Sequence, residues 1–167
     1  MSIEILDCTL RDGGYINDWD FGRKTIMSIL DKLERAKIDI IECGFLTGMV
    51  HDRDRSLFNS VADVEEVLPK RERKAMYVAM IAIGEKELHP DELTPCDGRS
   101  IDGIRLTFHK DEINKAMDWA KIIMSKGYKV FMQPVGTVFY TDMELLLLVE
   151  KINERGFAAY EQTGREA

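Results

Sequence analysis

The feature that most constrains the fold is an alternation of short apolar, β-branched runs with longer amphipathic segments, repeated about five times. The strand-like runs are Ile3–Leu10, Ile38–Phe45, Ala75–Ile83, Asp102–His109 and Tyr128–Pro134, with Phe157–Tyr160 as the start of a sixth. The segments with helical spacing are Arg23–Lys37, Leu57–Leu68, one that ends at Gly127, and one that runs from the capping box Thr141–Glu144 to Gly156. This alternation predicts an α/β fold built from βαβ units around a parallel sheet.

Two architectures fit the alternation. A TIM-type barrel of eight units typically needs about 250 residues, so the 167 residues here would supply about five to six parallel βα units of an incomplete barrel. The alternative is a smaller, open, doubly wound sheet. No linker divides the chain, and its 45% hydrophobic and 32% charged residues are those of an ordinary globular protein. We therefore predict a single domain over residues 1–167.

Charge and composition narrow the classes of partner. The formal net charge is −7, which argues against nonspecific binding of nucleic acid or of an anionic membrane surface. The N-terminus lacks a basic and apolar targeting pattern, and no run approaches the length of a membrane span, so the expected location is cytoplasmic. Three cysteines without C-x-x-C spacing predict neither a disulfide framework nor a zinc site.

The first strand-like run ends in a group of residues suited to a binding site. Apolar residues continue to Leu10, and Arg11 and Asp12 then stand directly before Gly13 and Gly14. At the carboxyl end of a strand, such a pair can hold a divalent cation with the carboxylate and an oxyanion with the guanidinium. An ordinary exit from a strand, with a local ion pair, is the structural alternative.

The run Asp7-Cys8-Thr9-Leu10-Arg11-Asp12-Gly13-Gly14 resembles the opening signature of the metal-dependent barrel aldolases and acyl-transferring synthases. That family includes 3-hydroxy-3-methylglutaryl-CoA lyase, 4-hydroxy-2-oxovalerate aldolase, isopropylmalate synthase and the carboxyltransferase domain of pyruvate carboxylase. The continuation through Asn17-Asp18-Trp19-Asp20-Phe21-Gly22 resembles the 4-hydroxy-2-oxovalerate aldolase branch most. The resemblance favours the incomplete barrel over the open sheet.

The resemblance implies roles for three residues. Asp12 matches the aspartate that is the family's metal ligand, which predicts a divalent ion, Mn, Mg or Zn. Arg11 would stabilise the enolate that forms when a carbon–carbon bond next to a carbonyl breaks or is made, and it would contact the substrate. Glu42, in the second strand-like run, resembles the glutamate that positions this arginine. A carboxylate inside an apolar strand must in any case be paired or functional, because burying it alone is costly.

Three further residues are candidates from their positions alone. Tyr15 and Asn17 belong to the polar and aromatic loop just after Arg11 and Asp12, and we predict that they contact substrate. His109 ends the fourth strand-like run, and histidine is the side chain that most often serves as a general base. The structural alternatives are a solvated loop and a hydrogen-bonded histidine without a catalytic role.

One departure from the family pattern concerns the metal. The resemblance leads us to expect a His-x-His pair near the seventh strand, but the three histidines, His51, His89 and His109, are never closer than 20 positions. The predicted ion would therefore be incompletely liganded by this chain, since catalytic metal sites usually have three protein ligands.

The leading functional hypothesis is a divalent-metal-dependent aldolase, lyase or acyl-transfer carboligase that acts on a small keto acid or acyl substrate. The first alternative is a non-catalytic barrel fragment that serves as an interaction or regulatory module. The second is an open-sheet protein that binds an anionic metabolite. An incomplete barrel also leaves open sheet edges, which would favour a homo-oligomer.

Overall fold

The computed structural model describes residues 3–85, 88–154 and 158–159, as a mixed α/β fold. The strands are β1 (Leu6–Asp7), β2 (Ile40–Leu46), β3 (Leu57–Phe58), β4 (Met76–Ala82), β5 (Gly103–Phe108), β6 (Lys129–Pro134) and β7 (Ala158–Ala159). The helices are α1 (Thr9–Asp12), α2 (Arg23–Arg35), α3 (Val61–Glu65), α4 (Ile113–Ser125) and α5 (Asp142–Asn153). Short 3₁₀ turns cover Gly13–Ile16, Pro90–Glu92, Lys110–Glu112 and Thr137–Phe139.

All of the strands pair in parallel within one sheet. Its order is β1-β2-β4-β5-β6-β7, with β3 beside the end of β2. The order follows the chain from one edge to the other, whereas a doubly wound sheet reverses direction at a switch point. The five strands β1, β2, β4, β5 and β6 curl into a half-barrel, which confirms the predicted α/β incomplete barrel and not the open sheet.

Both faces of the central strands are apolar. The convex face packs against the helices in one core cluster, to which β4 contributes Tyr77, Ala79 and Ile81. The concave face carries two smaller clusters: Ile40, Val78 and Phe131 lie together, as do Phe45, Leu57, Met80 and Ala82. Because side chains alternate along a strand, burial on both faces requires the near-continuous apolar runs that the sequence has.

The predicted first strand is wrong beyond Asp7. The Asp7 carboxylate accepts hydrogen bonds from the backbone N–H and the hydroxyl of Thr9, both at 3.0 Å. This local bond turns the chain into α1, in which the N–H groups of Arg11 and Asp12 donate to the carbonyl of Cys8 at 3.0 and 2.8 Å. Arg11 and Asp12 therefore lie in a helical turn after the strand and not at the end of the strand itself.

The predicted helix Leu57–Leu68 is wrong at its beginning. Leu57 and Phe58 form β3, which pairs with Phe45 and Leu46 of β2. The helix begins only after Ser60, whose hydroxyl accepts a hydrogen bond from the N–H of Asp63 at 3.1 Å.

The other predicted elements are observed within a few residues of their expected bounds. Gly127 follows α4 in the left-handed conformation, with φ of 88°. The capping box of α5 is formed: the Glu144 carboxylate accepts from the N–H of Thr141 at 2.8 Å, and the Thr141 hydroxyl accepts from the N–H of Glu144 at 3.3 Å. Gly156, Phe157 and Tyr160 lie outside the described residues.

Among the described residues, no helix has both the length and the apolar character needed to cross a membrane.

Candidate functional site

A cavity of about 820 Å³ opens at the carboxyl ends of β2, β4, β5 and β6. In parallel α/β sheets this edge is where ligands usually bind, because loops and helix starts converge there. The polar residues of its lining include Arg11, Asp12, Glu85, Thr107, His109 and Gln133; the apolar ones include Tyr15, Phe45, Met80, Phe108, Val138 and Phe139.

A buried carboxylate joins two arginines at the base of this cavity. Glu42 is fully buried; its Oε1 accepts a hydrogen bond from Nε of Arg11 at 2.6 Å, and its Oε2 accepts from Nη1 of Arg105 at 2.5 Å. Arg105 in turn donates from Nη2 to the side-chain oxygen of Gln133. A single charge buried here would be costly, and two short charge-assisted bonds compensate the desolvation of Glu42.

A β-bulge gives Glu42 this position. Between Glu42 and Phe45, β2 advances three residues while β4 advances only two, from Val78 to Met80. The extra residue lets both Glu42 and Phe45 face the concave side, which strict alternation would forbid. Gly44 makes the bulge: its φ is 144°, and a Cβ atom there would lie 2.0 Å from the carbonyl oxygen of Ser56.

One nitrogen of Arg11 has no hydrogen-bond partner among the residues that the structure describes. The side chain is 9% exposed; Nε bonds Glu42, Nη1 donates to Oδ1 of Asp12 at 2.9 Å, and Nη2 is the buried atom that lacks a partner within the described ranges. Burial by itself lowers the pKa of Arg11, but the Glu42 carboxylate outweighs it, and the pKa is raised above its ordinary value. The guanidinium is therefore a fixed cation at the cavity wall, with one buried donor that has no hydrogen-bond partner among the described residues.

Two side chains from other parts of the chain hold the backbone of the turn that carries Arg11. The indole N–H of Trp19 donates to the carbonyl of Arg11 at 2.7 Å, and the hydroxyl of Ser56 donates to the carbonyl of Leu10 at 2.6 Å. Gly14 lies directly under the indole, since a Cβ atom there would be 2.0 Å from Cδ1 of Trp19. The second glycine of the motif thus admits the tryptophan that fixes the Arg11 backbone.

The other predicted site residues divide into two groups. Asp12, Tyr15 and His109 line the cavity together with Arg11, with the Asp12 side chain 59% exposed. Asn17 does not line it: its side-chain amide donates to the carbonyl of Asp20 at 2.9 Å. Substrate contact by Asn17 stays a prediction without support from this geometry.

Arg105 is the residue that sequence reasoning missed. It is 3% exposed in the middle of β5, and the register pairs it with Met80 of β4 and Phe131 of β6. The signal was available, because an arginine inside the apolar run Gly103–Phe108 requires a buried partner for the same reason as Glu42 does.

The two cysteines nearest the site are poor nucleophiles. Burial raises the pKa of the Cys8 thiol, and it raises the pKa of Cys43 strongly. Both thiols are therefore neutral at physiological pH, whereas reactive cysteines have lowered pKa values.

Metal ligation was tested against the residues that the structure describes. Asp12 and Glu85 are carboxylates of the cavity lining, but nowhere in the described ranges do three or more His, Cys, Asp or Glu side chains form a group suited to a metal ion. These side chains do not complete a three-ligand catalytic site. The metal role of Asp12 stays a prediction.

Comparison with models of protein families and with curated proteins gives no match to this chain.

Proposed function

We propose that this chain binds a small 2-keto acid at the half-barrel cavity and catalyses the breaking or making of a carbon–carbon bond next to the keto group. The observation that carries the proposal is the buried Arg11 guanidinium, which lines the cavity and whose Nη2 atom has no hydrogen-bond partner in the part of the chain that the structure describes. The resemblance of Asp7–Gly14 to the metal-dependent barrel aldolases supplies the reaction class, and Glu42 takes the positioning role expected of it.

The chemistry asked of these residues is an aldol cleavage and its reverse. In the cleavage direction the substrate is a 4-hydroxy-2-keto acid, and a base takes the proton of its C4 hydroxyl. The C3–C4 bond then breaks to release an aldehyde, and the electron pair moves to the keto oxygen as an enolate. The enolate carbon then takes up a proton, so that atoms and electrons balance without a redox partner. Arg11 stabilises the enolate oxygen, where negative charge develops, and His109, which lines the same cavity, is the proposed base.

Glu42 and Arg105 act as positioning residues in this proposal. Glu42 fixes the Nε edge of Arg11, so that the Nη2 edge has one orientation and needs no reorganisation when charge develops. Arg105 anchors the other oxygen of Glu42 and keeps the carboxylate from turning away.

Deuterium exchange tests enolate formation without knowledge of the aldehyde. Pyruvate is incubated with the protein in D₂O containing Mg²⁺, and loss of the methyl signal is followed by proton NMR. We expect exchange above the rate in buffer, and a decrease of about 10²–10³-fold in Arg11→Lys, because lysine keeps the charge but loses the planar fork of donors.

Arg99→Lys is the matched control, since that side chain is 73% exposed and pairs with Asp97 on the surface. It should exchange at the wild-type rate. Exchange no faster than in buffer, or an equal rate in Arg11→Lys and wild type, contradicts the proposal. Binding of pyruvate without exchange would instead favour the non-catalytic alternative.

A further inference from the structure

The cavity has an apolar rim on the side of the loop between β6 and α5. Val138 and Phe139 line the cavity and are nevertheless 82% and 81% exposed. Gly136 begins this loop in the left-handed conformation, with φ of 65°, and a Cβ atom there would be 3.2 Å from Cδ2 of Phe139. The glycine therefore allows the chain to turn sharply while the phenylalanine ring stays over the opening.

A second aromatic wall faces the cavity from the loop after α1. Tyr15 lines the cavity and is 63% exposed, with its ring edge-on to Trp19 at a centroid distance of 4.9 Å. Trp19 is in turn edge-on to Phe45 at 5.7 Å. The tyrosine ring thus packs against Trp19 and is largely exposed where it lines the cavity.

The base of the cavity is therefore charged, whereas its outer walls are apolar. Its volume of about 820 Å³ lies in the range of about 300–1,000 Å³ that holds a drug-sized ligand. A three-carbon keto acid bound to Arg11 would leave the outer walls in water. Exposed aromatic side chains on a concave surface indicate a ligand that covers them.

We infer that the substrate is a 2-keto acid with an apolar tail of about the size of a phenyl ring. This inference rests on the proposed function. The carboxylate and keto oxygens lie at Arg11, and the tail lies between Phe139 and Tyr15. Phe139 and Val138 are then specificity-determining residues, which select the tail without contacting the reacting atoms.

Calorimetric titration with two probes, pyruvate and phenylpyruvate, tests the inference. Phenylpyruvate should bind at least about tenfold more tightly, because its ring removes apolar surface of both ligand and cavity from water. Phe139→Ser should weaken the binding of phenylpyruvate by about tenfold and leave the affinity for pyruvate unchanged. Arg11→Lys should weaken both, because both share the carboxylate and keto group.

Leu147→Ser is the matched control. Leu147 is 56% exposed on α5 and is not part of the cavity lining, so its loss should change neither affinity. Equal affinities for the two probes, or the same loss in Leu147→Ser as in Phe139→Ser, overturn the inference and leave the proposed function intact. Failure of both probes to bind overturns the proposed function itself.

Discussion

At the scale of single residues, Glu42 is a buried carboxylate that joins two buried arginines. It is fully buried and divides its two oxygens between Arg11 and Arg105, whose side chains are 9% and 3% exposed. The three groups are stable only together, since the attraction of the carboxylate compensates the desolvation of both guanidinium groups. We therefore expect Glu42 to matter for stability, in addition to the positioning role proposed for it.

We predict that Glu42→Gln lowers the free energy of unfolding by about 3–5 kcal/mol, although glutamine has nearly the same shape. The change removes the carboxylate that bonds both buried guanidinium groups and leaves the repulsion between them. Urea unfolding followed by far-UV circular dichroism measures the loss. Glu66→Gln is the control, because Glu66 is 45% exposed and pairs with Arg23 at the surface, where we expect less than about 1 kcal/mol.

A loss below about 1 kcal/mol in Glu42→Gln would mean that the carboxylate contributes little to holding the arginines. Arg11 would then have no fixed orientation, and the positioning role of Glu42 would fail with it.

At the scale of elements, the bulge in β2 decides what the concave face presents. Glu42 and Phe45 both point inward only because Gly44 adds a residue to the strand and lies against Ser56. The polar base and the apolar wall of the cavity therefore depend on one glycine.

We predict that Gly44→Ala lowers the free energy of unfolding by about 3 kcal/mol or more, since the methyl group would overlap the Ser56 carbonyl and the φ of 144° is unfavourable for alanine. Gly98→Ala is a matched control: its φ is +74°, but nothing lies within 4 Å of the added Cβ atom. We expect about 1 kcal/mol there, from backbone strain alone. Chemical denaturation of both variants separates overlap from strain, and equal losses would contradict the account of the bulge.

The elements that the sequence predicted best are those whose hydrophobic pattern continues over many residues or whose end carries a clear capping signal. The helix after Thr141 has its capping box, and the strand around Ile104 has a continuous apolar run. The failures came from one local side-chain hydrogen bond and one strand pairing, neither of which a hydrophobic pattern reveals. The Asp7 side chain ends β1 early, and Leu57 pairs with β2 in place of starting a helix.

The sequence predicted the pair Arg11 and Glu42, but neither Arg105 nor the bonds that it makes. Arg11 and Glu42 were predicted as functional residues from the motif and from the cost of a buried carboxylate. The bond of Glu42 to Arg105 spans 63 positions, and the bond of Arg105 to Gln133 spans 28. Such partners are set by the register of neighbouring strands, which a single sequence does not reveal.

At the scale of the whole molecule, the half-barrel has a first half that contains β1, β2 and β4 and a second half that contains β5 and β6. A chain of polar side chains and the main core cluster join these two halves. The polar chain runs from Arg11 through Glu42 and Arg105 to Gln133, and so links α1, β2, β5 and β6. The main core cluster extends from Leu10 and α2 to Leu148 and Ile152 of α5. A break between the halves would expose both, so the chain should unfold as one unit.

Two tryptophans report on the two halves. Trp19 lies beside the Arg11 turn, and Trp119 is 3% exposed in α4. In Trp19→Phe and in Trp119→Phe, we predict that urea unfolding followed by the remaining tryptophan has the same midpoint as unfolding of the same variant followed by circular dichroism. Each variant is its own control, because a stability change caused by the substitution shifts both probes equally. A fluorescence midpoint that differs from the circular dichroism midpoint would mean that the halves unfold separately, and the single domain predicted from the sequence would then be two cooperative units.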